Sequence, residues 1–467
     1  MSIENMLEEL ERRRAEAQLG EGSKYVAQQH AKAKLTARER LDLLLDEGSF
    51  RELHTFVEGA GVVTGHGKIE GRPVYAFAQD FTALGAAFSP AQADKICKIL
   101  DQALEGGVPV VGLVDSVGIQ KGPAGLAGCA ELLHRQALAS GVVPQVWAVM
   151  GPCPGDLALS PALADFVVMV EETSHMHIQA IGPEMVAKVS ADLEALGGAA
   201  PHSGVSGVAH FLAGDDEEAI SLVRRLLGYF PQNNVEDPPY LEPTDDAWRM
   251  EGGLDAIALE EPCDMREIIR RVFDRGSFLE VHQRFARDAI VGLARLYGLA
   301  VGVVAMGALD IDVADKIVRF VRTCDCFNLP LIVFVDSTGF PTDMAQEHEG
   351  IIRHGAKLVY ACSEATIPKV AVIVRRAYGG AFIATCPQAD MALAWPKAEV
   401  ALLGPEKMSA DLKLSSYEAA AEGYVDEVIE PHRTRPRLIA ALEVLKNKRA
   451  LGRGRKGGRG RGGNMPL

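Results

Sequence analysis

Apolar residues along this chain change their spacing in a regular way. Ala93, Ile96, Cys97, Leu100 and Leu104 recur at helical intervals and share one face. Ser89 stands ahead of them as a cap, Pro90 takes the first helical position, and Gln92 is placed to close a capping box. Gly106-Gly107 should stop that helix. Val108–Val114 then runs almost wholly apolar, as a strand does when its sheet is covered on both faces. It should end in a turn at Asp115–Gly118, and a second strand at Gln145–Met150 should lead through a Gly turn to a short helix. Two helices are expected before this region. The second is marked by Thr36 as cap, Glu39 closing its box and Gly48 at its end. Gly65-His66-Gly67 with Gly71 has the wrong spacing for a dinucleotide fingerprint and marks a hairpin instead.

The same grammar occurs twice. Ala93-Asp94-Lys95-Ile96 returns as Ala314-Asp315-Lys316-Ile317, and VVGLVDSVG at Val110–Gly118 returns as IVFVDSTG at Ile332–Gly339. PQVWAVM at Pro144–Met150 is echoed by PKVAVIV at Pro368–Val374, with Gly turns following at Gly155 and at Gly379-Gly380. Matches in the same order at nearly constant offset imply two homologous α/β halves with helices packed on a sheet. The Pro- and Asn-rich PQNNVEDPPYLEPTDD segment separates them as a surface linker. The expected organisation is a helical segment over 1–50, domains over 51–232 and 263–448, a linker over 233–262, and a basic tail over 449–467.

Composition narrows the function classes. The chain has 467 residues, 48% hydrophobic and 24% charged, which suits a globular protein of two or three domains. Its apolar runs are far too short for a membrane helix and its first 30 residues lack the apolar core of a secretory signal. The eight cysteines form no CxxC pair. A reduced, cytoplasmic setting is therefore expected. A net charge of −15 disfavours nucleic acid as partner of the folded body. The tail reverses that sign: KNKRALGRGRKGGRGR reads as a solvated segment able to contact polyanions.

The Gly turns carry the candidate chemistry. A Gly turn between strand and helix exposes backbone N–H groups at the helix's positive end, where an oxyanion can be stabilised. Arg375-Arg376-Ala377-Tyr378-Gly379-Gly380-Ala381 suits that role, although such glycines can also merely make a tight turn. No GxSxG, P-loop or HExxH motif is present. His175 and His177 alternate in TSHMHI without the further ligands a metal site needs. Asp115 and Asp336 end strands, where capping is the commoner role, and Cys324 and Cys326 read as core residues.

Longer motifs add a resemblance. GVVTGHGKIEGRPVYAFAQDFT (Gly61–Thr82), GPC-x-G with SPAL (Gly151–Leu163), SGVAHF (Ser206–Phe211), GIIRHGAKLVYACSEATIPKV (Gly350–Val370) and RRAYGGAFI (Arg375–Ile383) resemble the carboxyltransferase subunit of biotin-dependent acyl-CoA carboxylases and decarboxylases. Within that family the propionyl-CoA carboxylase β subunit and the methylmalonyl-CoA decarboxylase carboxyltransferase subunit are most similar, and the terminal GNMPL resembles the decarboxylase branch. The resemblance implies two tandem crotonase-like (ClpP/crotonase) α/β domains and a hexamer built as a trimer of dimers. It places the active site between one subunit's first domain and its partner's second. It implies carboxyl transfer between biotin, carried on a separate carrier protein, and the α-carbon of a short-chain acyl-CoA of the propionyl or methylmalonyl kind, without a metal. Biotin carboxylase or membrane decarboxylase subunits would complete the complex.

Carried over by residue, the biotin-side oxyanion hole falls on Gly379, Gly380 and Ala381, and the acyl-CoA-side hole on the turns around Gly118 and Gly155. Ile383, Val117, Asp156 and Tyr378 are the candidate substrate-binding residues. Lys and Arg of the helix before the first domain are candidate CoA-phosphate ligands, a solvated charged face being the alternative. The departures from the family cluster at the first site, although the second half also lacks the family's Asn-Gln-Pro segment between Ala305 and Leu309 and alters its GF-Leu-Pro-Gly-Thr motif to Gly339-Phe340-Pro341-Thr342-Asp343. DSGGARIQEG is here Asp115-Ser116-Val117-Gly118-Ile119-Gln120-Lys121-Gly122, and GPCAGGAVYSPAL becomes Gly151-Pro152-Cys153-Pro154-Gly155-Asp156-Leu157-Ala158-Leu159-Ser160-Pro161 onward. Pro154 removes an N–H, and Asp156 brings a carboxylate near the expected enolate. Two alternatives follow: a non-catalytic paralogue with a structural role, and a biotin-independent crotonase-like enzyme using Asp156 as acid or base. The plainer role for Asp156 is a helix N-cap.

Overall fold

The alternation of strand and helix spacings is realised twice in a computed structural model, which describes residues 3–18, 22–178, 190–243, 245–402 and 413–448. The expected tail at 449–467 lies outside them. The chain divides into two compact units on either side of the Gly228–Tyr229 bond.

In the first unit an antiparallel meander, β1 (Arg51–Leu53), β2 (Val62–Ile69) and β3 (Arg72–Gln79), leads into parallel β4 (Val110–Val114) and β5 (Gln145–Val149). A short parallel pair, β6 (Pro152–Pro154) and β8 (His175–His177), stands apart from the sheet. β7 (Phe166–Val170) and β9 (Phe211–Ala213) complete the order β1-β2-β3-β4-β5-β7-β9. Every residue of β4 and β5 is buried, as their unbroken apolar character requires. Helix Pro90–Gly106 packs its Ile96, Leu100 and Ala103 into the core with Phe77 and Trp147. Ser89 caps that helix through the Gln92 N–H, and Gly107 ends it in the left-handed region. The Gln92 side chain is turned inward rather than back to the cap: its amide nitrogen donates to the Ala60 and Gly61 carbonyls. Helix Ala37–Leu44 has the full Thr36/Glu39 box but ends at Leu44, four residues short of Gly48, with Leu45 already extended.

The second unit repeats the plan. β10 (Leu279–Val281), β11 (Ala289–Leu296) and β12 (Leu299–Met306) form the meander, followed by parallel β13 (Leu331–Ser337), β14 (Lys369–Tyr378) and β15 (Met391–Ala394). β16 (Glu399–Ala401) pairs with the end of β14, β17 (Lys413–Ser415) pairs with β16, and β18 (Glu427–Val428) flanks β15. Phe273, Phe334 and Trp395 fill this unit's core.

The repeat reaches further back than the matched motifs. Arg38 pairs with Glu52 in the first unit, and Arg266 with Glu280 in the second. The hairpin turns Glu70-Gly71 and Tyr297-Gly298 both take left-handed φ values, 51° and 78° against 51° and 79°. In each, the two turn N–H groups donate to one carboxylate, Asp46 or Asp274. The two lysines of the repeated ADKI motif are buried rather than solvated. Lys95 donates to the Val62 carbonyl at 2.7 Å and Lys316 to the Ala289 carbonyl at 2.7 Å. Burial pulls both ammonium groups down to about 8. Among the described residues no helix is long and apolar enough to cross a membrane, and all eight cysteines are free thiols.

Candidate functional site

Each unit places two loops side by side at the carboxyl ends of its central parallel strands. One follows β4 or β13, and the other follows β5 or β14.

The loop after the earlier strand is built alike in both units. Asp-Ser-x-Gly forms a tight turn in which the serine hydroxyl accepts the glycine N–H: Ser116 from Gly118 at 3.1 Å, Ser337 from Gly339 at 3.1 Å. Both glycines have left-handed φ, 101° and 88°. The first of these turns is also zipped to the segment before helix Pro90–Gly106. Val117 donates its N–H to Gly85, Ser116 its hydroxyl to Ala86, and Phe88 its N–H to the Gly118 carbonyl. That segment carries left-handed φ at three successive residues, Leu84, Gly85 and Ala86. The Gly118 N–H is therefore already engaged within the chain. Val117, just before it, is about half exposed.

The loop after the later strand opens a short helix in both units. In the second, β14 ends at Tyr378, Gly379 takes φ 49° and ψ −119°, and helix Gly380–Thr385 begins. No side chain caps that helix. The first N–H groups of a helix have no acceptor within it, so Gly380 and Ala381 present theirs at its positive end. Gly379 donates its own N–H to Ala401 at 2.9 Å. A Cβ on Gly380 would sit 2.1 Å from the Phe340 ring, so one edge of the aromatic side chain is packed against the glycine. Ile383 projects from this helix and is half exposed.

Tyr378 does not point outward. It is buried, and its hydroxyl donates to Glu399 at 2.5 Å, with the Lys413 ammonium on the same carboxylate oxygen at 3.1 Å. Burial and the neighbouring Glu399 carboxylate push the phenol well above its usual range. Its proton thus serves the loop and is not offered to a ligand. Below the loop, Asp336 accepts from Arg375 at 2.7 Å and from Arg376 at 2.8 Å. Burial alone would raise the Asp336 carboxyl, but the two guanidinium groups hold it below its usual range.

The matching loop of the first unit is less regular. Gly155 has φ 72° and opens a 3-10 turn over Gly155–Ala158. The cap position is Pro154, and no side chain caps the turn. Asp156 is therefore not the N-cap: it lies inside the first turn and faces solvent. An exposed carboxylate keeps its hydration, so its repulsion of a nearby oxyanion is screened. Gly118 and Gly155 do come together, since a Cβ on Gly118 would lie 3.3 Å from the Pro154 carbonyl oxygen.

Beneath the Gly118 turn lies a buried ionic cluster that no motif announced. Asp115 is wholly buried and accepts from Lys34 at 2.7 Å, Arg40 at 2.9 Å and Gln29 at 2.9 Å. Arg40 also donates to Asp216 at 2.8 Å. Burial pulls the Lys34 ammonium below its usual range, with Asp115 opposing. Lys34 and Arg40 are thus neither a solvated face nor available to CoA phosphates. Sequence spacing offered no sign of these pairings, which join residues 75 to 176 positions apart.

His175 and His177 stack on each other, with ring centroids 5.4 Å apart, and the His175 Nδ1 is buried without a partner. Among the described residues no cluster of metal-ligating side chains occurs. Burial, then the His177, Lys34 and Asp115 charges, set the His175 ring to about 4. Its unfolded value is about 6.5, so on acidification the unfolded chain takes the proton first. The stability it contributes is present above about 6.5 and is lost as pH falls toward about 4. His175→Gln should therefore melt with a shallower loss of Tm between pH 7 and pH 5 than the parent chain. Equal slopes in differential scanning calorimetry would remove His175 from the acid response.

Comparison with known proteins is consistent across sequence and structure. The carboxyl transferase domain family matches residues 28–412. The chain is 44% identical over 523 residues to the propionyl-CoA carboxylase carboxyltransferase subunit of Haloferax mediterranei, covering 100% of both chains. It is 42% identical over 514 residues to the methylmalonyl-CoA decarboxylase subunit alpha of Veillonella parvula, again covering 100% of both. The solved hexamer of transcarboxylase 12S, with hydrolysed methylmalonyl-CoA bound, superposes with a TM-score of 0.91 at 38% identity over 98% of each chain.

Proposed function

We infer the reaction from one premise: the chain belongs to the carboxyl transferase domain family, with its tandem crotonase-like α/β fold. The reading is that it moves a carboxyl group between carboxybiotin on a separate carrier protein and the α-carbon of a short-chain acyl-CoA, of the propionyl or methylmalonyl kind. The observation that carries it is the uncapped helix start at Gly380 and Ala381. Its two N–H donors are preorganised by a glycine backbone and need no reorganisation when negative charge develops opposite them. The Phe340 ring edge takes the space a Cβ on Gly380 would need, which holds the backbone that carries these donors in place. Bound there, biotin supplies the nitrogen that holds or releases the carboxyl group, and the chain's donors stabilise charge on the ureido oxygen.

In the first unit the Gly155 turn is the better donor for the thioester oxygen, since its helix start is also uncapped. Gly118 shapes that loop, with its own N–H held by Ser116. Val117 is half exposed beside the Gly118 turn, and Ile383 is half exposed on the helix that the Gly379-Gly380 turn opens; each offers an apolar surface to a substrate group. Tyr378 supports the biotin side from beneath, through Glu399. Partners in this reading are a biotin carboxyl carrier protein and either biotin carboxylase or membrane decarboxylase subunits. The assembly is a homo-hexamer and the setting cytoplasmic.

The test is decarboxylation of methylmalonyl-CoA by the purified chain with free biotin. Turnover that needs biotin is expected. Turnover without biotin, abolished by Asp156→Asn, would instead identify a biotin-independent enzyme. Absence of turnover in a chain that light scattering shows to be hexameric would leave the non-catalytic paralogue.

A further inference from the structure

We propose that Lys34, from the segment ahead of the first sheet, is the positioning residue of the acyl-CoA-side turn, filling the place that Arg375 fills beside the biotin-side turn. The inference rests on the reading above for the two turns.

The repeat preserves the carboxylate but changes the source of its cations. Asp115 and Asp336 occupy matching places at the ends of β4 and β13. Each is neutralised by two cationic groups. In the second unit both come from β14 itself, as Arg375 and Arg376. Matching Pro144–Met150 with Pro368–Val374 puts Gly151 opposite Arg375. The strand registers agree, Val114 facing Val149 and Val335 facing Ile373. At Gly151 there is no side chain to reach the carboxylate, and no room for one. A Cβ there would lie 2.0 Å from the Asp115 Oδ1 and 2.6 Å from the Lys34 Nζ. The ammonium of Lys34 thus occupies the space vacated by the missing arginine. Lys34 is 5% exposed and bonded to Asp115 at 2.7 Å, so the substitution is a built contact and not a surface pairing.

Such a cation holds the Asp-Ser-x-Gly turn against the strand end. Asp115 receives Lys34 and Arg40 on its side chain and its own N–H is held by Gln79, while the next residue, Ser116, fixes Gly118. A shift of Asp115 is therefore passed to Gly118 and to the neighbouring Pro154-Gly155 loop. The acyl-CoA side depends on a segment distant in sequence, whereas the biotin side carries its brace within its own strand.

The experiment is steady-state kinetics of the full chain, varying methylmalonyl-CoA and free biotin separately. Lys34→Gln should raise KM for the acyl-CoA by about tenfold, the effect of losing one charge-assisted hydrogen bond, and leave KM for biotin within about twofold. Asp336→Asn should do the reverse. Lys34→Arg should restore most of the acyl-CoA KM. A merely structural Lys34 would lower kcat through lost folded enzyme and leave both KM values unchanged, which would overturn the proposal. Should the parent chain turn nothing over, the reading of function fails, and hydrogen exchange still judges this one. Lys34→Gln must then loosen the amides of Ser116–Gly118 and not those of Ser337–Gly339, and equal protection in both turns would overturn it.

Discussion

Gly380→Ala should abolish biotin-dependent turnover while leaving the second unit folded. The added methyl would lie 2.1 Å from the Phe340 Cε2 and 2.3 Å from its Cδ2, far inside contact distance. The ring is also confined at its tip, which packs on Gly355, where a Cβ would meet the Cζ at 2.9 Å. The helix start must move instead, and with it the N–H groups of Gly380 and Ala381. Loss of one oxyanion donor costs about 10²–10³ in kcat, so a fall of at least about a hundredfold is expected. The core residues Val370 and Val372 of β14 and their neighbour Leu393 on β15 are untouched, so the melting temperature should move little. The double variant Phe340→Ala with Gly380→Ala separates sterics from chemistry. If crowding displaces the donors, the double variant recovers part of the lost rate. Turnover of Gly380→Ala at the parent level would sink the assignment of this turn.

The strands and the core were legible because their signals are local. Val110–Val114 is apolar at every position and buried at every position. The Ser89 cap and Gly107 stop lie within a few residues of the helix they delimit. The Gly379-Gly380 turn was equally visible, since only glycine tolerates its backbone angles and its contact with Phe340. What could not be read were groups whose role is fixed by distant partners. Lys34 and Arg40 look like ordinary charged residues until Asp115 is folded against them. Tyr378 sits in a motif that suggests ligand contact, yet its hydroxyl is turned to Glu399 by the pairing of β14 with β16. Asp156 reads as a cap by residue type, but the turn begins two residues earlier than a cap at that position requires, with Pro154 as its cap. Lys95 and Lys316 marked the repeat without revealing that their ammonium groups bind buried carbonyls.

The second large effect lies at Asp115. Asp115→Asn keeps the shape of the side chain and removes its charge, leaving Lys34 and Arg40 buried with only Asp216 as a carboxylate partner, on Arg40. Removing one member of a buried ion pair costs about 3–5 kcal/mol, because the remaining charge stays out of water without compensation. The loss should be confined to the first unit, since the cluster's charged members and the Gln29, Gln79, Leu35 and Met150 groups that bond them all belong to it. Hydrogen exchange should therefore accelerate across β4 and β5 and remain unchanged across β13 and β14. Asp336→Asn is the internal control. Its partners Arg375 and Arg376 keep more contact with solvent, Arg376 being about one third exposed, so the matching substitution should cost less. An Asp115→Asn chain as stable as the parent would mean that water or relaxation serves the Lys34 and Arg40 charges, and that the carboxylate is not what fastens residues 29–40 to the sheet.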